Sequence, residues 1–324
     1  MKIYITRRIP EVGIKILKDK GYEVDISLKD RVLSKKELIK SLKIKPYDAV
    51  LCLLTDKIDG DVFDAAGNAK IFANYAVGFD NIDLEAAKKR GVMVSNTPGV
   101  LSEAVAEHSV ALMLAVARRI AESDKFVRAG KYKGWAPMLF LGSGFFGKTV
   151  GIIGLGRIGT KTAHIASQGF GAKVIYYDIR RNEDFEKEFP SGSIEFKPSI
   201  GEVLKDADFV SIHLPLTEQT KHIINKEKLA LMKPTAYLVN TSRGPIVDEN
   251  ALAEALKNKI IRGAGLDVFE FEPKISKGLL KLDNVVLTPH TASATEEARA
   301  KMAEVAAQNI IEALEGRTSP NLIK

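Results

Sequence analysis

Thr149-Val150-Gly151-Ile152-Ile153-Gly154-Leu155-Gly156-Arg157-Ile158-Gly159 is the stretch whose reading decides the fold. An apolar, β-branched run empties into G-x-G-x-x-G, and a helix-like segment from Thr160 to Gln168 follows. In that setting Gly154 allows the tight turn, Gly156 lets backbone approach a pyrophosphate, and Gly159 lets the helix pack closely on the strand. Such a string alone is weak. Here a second strand, Lys173 to Tyr177, ends at Asp178, where a carboxylate can accept hydrogen bonds from an adenosine ribose. The expectation is a dinucleotide site. Asp178 would repel a 2′-phosphate and so favours NAD, while Arg180 and Arg181 lie near enough to keep NADP open.

Outward from this loop, β-branched runs alternate with amphipathic segments along the chain. Before it come strands at 2–5, 22–26, 48–53, 71–74 and 92–95, with helices at 11–20, 35–42, 61–66 and 84–90 between them. Asn96-Thr97-Pro98-Gly99 breaks the pattern, and one long helix is expected from Ser102 to Ala129. After it come strands at 209–213, 236–240, 263–268 and 285–288, with helices near 226–232 and 249–257. This alternation predicts an α/β chain of two doubly wound parallel sheets with a cleft between them. A final helix, Glu296 to Glu315, follows the second sheet and is expected to pack on the first. The domains are therefore expected at 1–100 plus 292–324 and at 101–291.

Composition narrows the class. A chain of 324 residues with 45% hydrophobic content can bury two cores. The net charge of +7 is spread over helix-like segments with no basic arm or aromatic RNA-binding signature, so no nucleic-acid partner is expected. Cys52, the only cysteine, sits in the apolar run 49–54 and reads as a buried thiol in a reducing compartment. No secretory segment or membrane span is evident, which points to the cytoplasm, and no metal-ligand cluster is expected.

In open parallel sheets ligands bind beyond the carboxyl ends of the strands. Three such ends carry chemistry: Arg243 after 236–240, Glu272 after 263–268, and His290 after 285–288. Histidine titrates near neutral pH and can protonate a carbonyl oxygen as hydride reaches carbon. A neighbouring carboxylate would orient the imidazole, and an arginine fork can bind a substrate carboxylate and polarise its carbonyl. Together they describe reduction of a 2-oxo acid. The other four histidines are weaker candidates: His108 in an apolar helix, His164 on the first cofactor helix, His213 before Leu214-Pro215, and His222 in a loop.

Over nearly its whole length the chain resembles the D-isomer-specific 2-hydroxyacid dehydrogenases. The matching strings are Asn74 to Asp83, Asn96 to Gly99, Gly154 to Gly159, Asn240 to Gly244, Gly265 to Val268 with Glu272-Pro273, and Pro289-His290. The resemblance implies a flavodoxin-like substrate domain and a Rossmann-like NAD domain, with Arg243, Glu272 and His290 catalytic. It implies that the amides of Val77 and Gly78 hold the substrate carboxylate with Leu53 beside them, and that Trp135 either reaches the partner subunit's substrate site or serves as a buried dimer anchor. For the cofactor it implies Arg157 and Ile158 at the pyrophosphate, Asp178 at the ribose, and Leu214, Pro215 and Thr220 on the adenine side. Thr241, Ser242 and Asp267 then lie toward the nicotinamide. It implies a homodimer formed largely through the 102–129 helix and the arm after it. Gly134 to Met138 and Ser293-Ala294-Thr295 resemble glyoxylate and hydroxypyruvate reductases, although Thr291-Ala292 departs from their usual Ile-Gly. The expected reaction is NADH-preferring reduction of a small 2-oxo acid. The rivals are D-lactate, 3-phosphoglycerate, formate or phosphite dehydrogenase on the same fold, and an NADH-sensing binding protein like the family's corepressors.

Overall fold

The computed structural model describes residues 1–190 and 192–323. It divides into two compact units, Met1–Leu101 with Ala294–Lys324, and Ser102–Ser293.

The first unit contains β1 (Lys2–Ile5), α1 (Glu11–Asp19), β2 (Glu23–Ile26), α2 (Lys35–Leu42), β3 (Ala49–Leu53), α3 (Gly60–Ala65), β4 (Ile71–Tyr75), α4 (Leu84–Lys89) and β5 (Met93–Ser95). All five strands are parallel, in the order β2-β1-β3-β4-β5. Every residue of β3 and β4 is buried, as expected of central strands covered on both faces. Within β3, burial raises the Cys52 thiol well above its ordinary pKa. Helix starts follow local chemistry: the Ser34 hydroxyl and Glu37 form a capping box on α2, and Asp59 and Asp83 accept from the first-turn N–H groups of α3 and α4.

The second unit opens with α5 (Ser102–Ala117) and α6 (Ile120–Arg128). It continues with β6 (Thr149–Ile153), α7 (Arg157–His164), β7 (Lys173–Tyr177), α8 (Glu183–Lys187), β8 (Ile194–Phe196), α9 (Ile200–Asp206) and β9 (Phe209–Ile212). It closes with α10 (Lys226–Leu229), β10 (Tyr237–Asn240), α11 (Glu249–Lys257), β11 (Gly263–Leu266) and β12 (Val285–Leu287). Its seven strands are parallel, ordered β12-β11-β10-β9-β6-β7-β8. The order reverses at β6, between β9 and β7, so the glycine loop leaves the sheet at its topological switch point.

The single helix expected over 102–129 is two. Arg119 takes a left-handed backbone (φ 55°), which ends α5 and starts α6. Sequence periodicity passes over such a break because both halves remain helical. The halves also differ in role. Ten residues of α5 are buried, whereas none of α6 is. A Cβ at Gly265 of β11 would lie 2.9 Å from Leu112 Cβ, so α5 rests directly on the sheet through that glycine.

The last helix, α12 (Glu296–Leu314), packs within the first unit against α1 and β4. Its crossing with α1 is so close that a Cβ at Gly13 would sit 2.7 Å from the Ala303 carbonyl oxygen. The chain then returns along β5, with Ser95 bridged antiparallel to Leu322. No helix among the described residues is long and apolar enough to cross a membrane.

Candidate active site

The loop after β6 has the geometry its glycines imply. Gly154 adopts φ +96°, and a Cβ there would lie 2.8 Å from the His213 carbonyl oxygen. A Cβ at Gly159 would collide with the Gly154 oxygen at 2.1 Å, whereas one at Gly156 would meet nothing within 4 Å. The first and third glycines are thus demanded by packing, and the second faces open space. Helix α7 begins at Arg157 with no side-chain cap on its first turn, so the N–H groups of Arg157 and Ile158 are left for an external acceptor. These features fit a dinucleotide pyrophosphate.

Asp178, just beyond β7, accepts from Leu155 N at 2.7 Å and from Ile179 N at 2.6 Å. The two arginines beside it have different fates. Arg181 pairs with Glu186 at 2.6 Å, while Arg180 is exposed with no side-chain partner among the described residues. On the far side of the loop, the Leu214 side chain lies 3.1 Å from the position of a Gly154 Cβ. The Thr220 hydroxyl is spent on shaping the turn after β9, donating to Pro215 O at 2.7 Å and accepting from Thr217 N at 2.8 Å. Thr241 and Ser242, after β10, bond Ser109 at 2.8 Å and Asn240 at 2.9 Å. His213 Nε2 is buried without a partner among the described residues, and burial pushes its imidazole down to about 3, so the ring is neutral near pH 7.

Arg243, Glu272 and His290 follow three adjacent strands, β10, β11 and β12. His290 sits at φ 55°, a left-handed backbone that histidine tolerates better than most residues. Its N–H donates to Asp267 O at 2.9 Å, and its Nδ1 lies 3.0 Å from Glu272 Oε2. Glu272 Oε1 accepts from Phe269 N at 3.0 Å, which fixes the carboxylate in turn. A carboxylate at Nδ1 fixes a proton on that nitrogen and leaves Nε2 on the opposite side of the ring. Arg243 donates from Nη1 to Ser242 O at 2.9 Å, and its own carbonyl accepts from Asn240 Nδ2 at 2.9 Å. At the next residue, a Cβ on Gly244 would lie 1.9 Å from the Phe269 carbonyl carbon, so the arginine and glutamate loops interlock.

In the first unit, Leu53 closes β3 and is 9% exposed, and Val77 and Gly78 lie half-buried just after β4. Trp135, in the arm after α6, is 83% exposed.

The D-isomer specific 2-hydroxyacid dehydrogenase NAD binding domain matches residues 110–292. The chain belongs to this family. A glyoxylate reductase of Thermococcus litoralis is 50% identical, covering 99% of this chain and 96% of its own. Among solved structures, a Thermus thermophilus protein superposes with a TM-score of 0.91 at 42% identity over both whole chains. An NADPH-dependent glyoxylate/hydroxypyruvate reductase of Sinorhizobium meliloti, solved with NADP and malonate, gives 0.84 at 29% identity, covering 99% and 96%. The second unit is thus the NAD(P)-binding domain of an oxidoreductase.

In this dehydrogenase, Asp267 and two histidines that looked minor in sequence hold the site in shape. The Asp267 carboxylate is buried and accepts from Thr288 Oγ1 at 2.6 Å, Thr291 N at 2.8 Å and Ala292 N at 2.7 Å. Burial alone would raise its pKa, but these bonds and His108, 3.5 Å away, hold it below the ordinary value. His108 also bonds Thr288 Oγ1 at 3.0 Å, so α5 reaches the turn that carries His290. His222 bonds Glu270 at 2.7 Å, and Glu270 and Glu249 each accept the other's backbone N–H. A polar side chain in an apolar helix was the available signal for His108, since buried polar groups require partners. Nothing in the sequence pairs it with a residue 180 positions away.

Proposed function

We propose that this protein reduces glyoxylate, and hydroxypyruvate by the same chemistry, to the 2-hydroxy acid, with NADH preferred and the D product where a stereocentre forms. The observation that carries the reading is the His290–Glu272 pair, whose 3.0 Å contact engages Nδ1 and leaves Nε2 to carry the transferable proton of the imidazolium. When bound, the reduced nicotinamide supplies the hydride to the carbonyl carbon. His290 gives its proton to the carbonyl oxygen, and Glu272 keeps the imidazole aimed and balances its charge. Arg243 binds the substrate carboxylate and polarises the carbonyl, and the amides of Val77 and Gly78 take the carboxylate oxygens. Leu53 and Trp135 shape the substrate pocket. Asp267, tied up in the loop, serves the nicotinamide from a fixed position. The glyoxylate reductase relative, at 50% identity over 99% of the chain, favours this substrate over D-lactate or 3-phosphoglycerate and favours turnover over sensing.

The protein acts as a homodimer in this reading. Its support is the apolar surface of α6 and the arm: Ile120, Val127, Tyr132, Trp135, Met138 and Phe146 are each more than half exposed.

Consumption of NADH with glyoxylate, hydroxypyruvate, pyruvate and 3-phosphohydroxypyruvate tests the assignment. Glyoxylate or hydroxypyruvate should give the highest kcat/KM. His290→Ala should lower kcat by about 10²–10⁴-fold with NADH affinity unchanged. Negligible turnover of all four acids, or near-normal kinetics in the variant, would refute it.

A further inference from the structure

Three consecutive carbonyls after β4 are held from the protein side. Ala76 O accepts from Thr97 N at 2.8 Å, Val77 O from Asn96 Nδ2 at 2.7 Å, and Gly78 O from Asn74 Nδ2 at 2.9 Å. A trans peptide is planar, with its C=O and N–H on opposite sides. Fixing each carbonyl therefore turns the N–H of the following residue, Val77, Gly78 or Phe79, away from its anchor. None of these three N–H groups has an acceptor among the described residues. Unpaired amides beside tightly held carbonyls are what an incoming carboxylate requires.

The anchor at Val77 is itself anchored. Asn309, fully buried in α12, donates from Nδ2 to the Asn96 backbone oxygen at 2.9 Å. Asn321, in the tail, donates from Nδ2 to Asn309 Oδ1 at 2.9 Å, and its own carbonyl accepts from Asn96 N at 3.3 Å. The directions are unambiguous: Asn96 and Asn309 each face a carbonyl oxygen, which can only accept, so each must present its amide nitrogen there. The tail is fastened beside them by Ile323 N to Val94 O at 2.8 Å.

We propose that the amide relay Asn321–Asn309–Asn96 aims the Val77–Gly78 peptide at the substrate carboxylate, making the C-terminal tail a positioning element of substrate binding. This rests on the assignment of the Val77 and Gly78 amides to that carboxylate. The Asn96 carbonyl that receives the relay belongs to the peptide whose N–H, on Thr97, donates to Ala76 O, and hydrogen bonds linked through peptides in one direction polarise one another, so loss of the outermost donor is felt at the Val77 N–H. Because Asn321, Asn309 and Asn96 all belong to the first unit and His290 to the second, loss of the relay should appear in KM for the 2-oxo acid and not in kcat.

Asn96→Asp keeps the side chain's shape but sets a carboxylate oxygen against Val77 O, and Asn321→Ala removes the outer donor while leaving the backbone bond from Asn96 N in place. Expected is a KM for glyoxylate raised about tenfold in the first and about threefold in the second, with kcat within about twofold. NADH affinity by fluorescence should be unchanged, and the thermal shift given by oxamate, an unreactive 2-oxo acid analogue, should shrink in step with KM. Should Asn96→Asp not fold, Asn321→Ala carries the test alone. Variants that lose thermal stability while keeping KM and the oxamate shift would overturn the relay and leave the reductase assignment standing. A wild-type protein that turns over no 2-oxo acid and shows no oxamate shift would overturn both.

Discussion

At the scale of single residues, the proposed preference for NADH rests on three side chains just beyond β7. Asp178 is anchored by Leu155 N, which places its charge beside the glycine loop, and Arg181 is committed to Glu186. Arg180 is then the cation available to a 2′-phosphate. Asp178→Asn retains an acceptor for Leu155 N and removes the charge that repels phosphate, so the preference for NADH over NADPH should narrow by about tenfold. Adding Arg180→Ala should restore much of the preference. Parallel titrations of both cofactors decide the matter, and an unchanged ratio in Asp178→Asn would remove the aspartate from that role. Asp178 was readable from the sequence because it sits at a set distance beyond the glycine motif. The division of labour between Arg180 and Arg181 was not, because it depends on where Glu186 of α8 comes to lie.

Among elements, the turn between β12 and α12 matters most. It carries His290 in a left-handed conformation and is held by one buried carboxylate, Asp267, which accepts from Thr288, Thr291 and Ala292. Because the folded Asp267 has a depressed pKa, its contribution to stability is fully present above the unfolded carboxyl's pKa, about 3.9, and is lost as pH falls through the folded value. Asp267→Asn should therefore cost stability near pH 7, by about 1.5–3 kcal/mol for each charged hydrogen bond weakened. The cost should shrink below about pH 4, where the carboxyl of the unfolded chain begins to protonate, and vanish once pH falls through the lower folded value. Urea denaturation at the two pH values measures it, and an equal loss at both would show that the charge is not what holds the turn. Helix α5 shows the same dependence on distant partners. Its apolar run was evident, but periodicity could not show that it ends at Ala117, short of the left-handed Arg119, or that glycines in β11 bring it flat onto the sheet.

For the whole molecule, the proposed homodimer makes a prediction about size and about the only tryptophan. Trp135 is 83% exposed on the single chain, beside Tyr132 and Met138. Sedimentation should give a particle of twice the chain mass, with Trp135 emission blue-shifted and shielded from iodide. A monomer with freely quenched fluorescence would exclude the arm as an interface.

Alternating strands and helices, the glycine loop with its acid, and the arginine, glutamate and histidine beyond successive strands were all legible in the chain, because each depends on backbone geometry within a few residues or on strand-end position. The contacts that shape the site belong to the tertiary structure: His108 against Thr288 is 180 residues apart, and Asn309 against Asn96 is 213. A histidine or an asparagine looks the same in sequence whether it faces water or anchors a loop. Only packing the helices onto their sheets selects its partner, since a hydrogen bond requires approach within about 3 Å and local periodicity carries no information at that range.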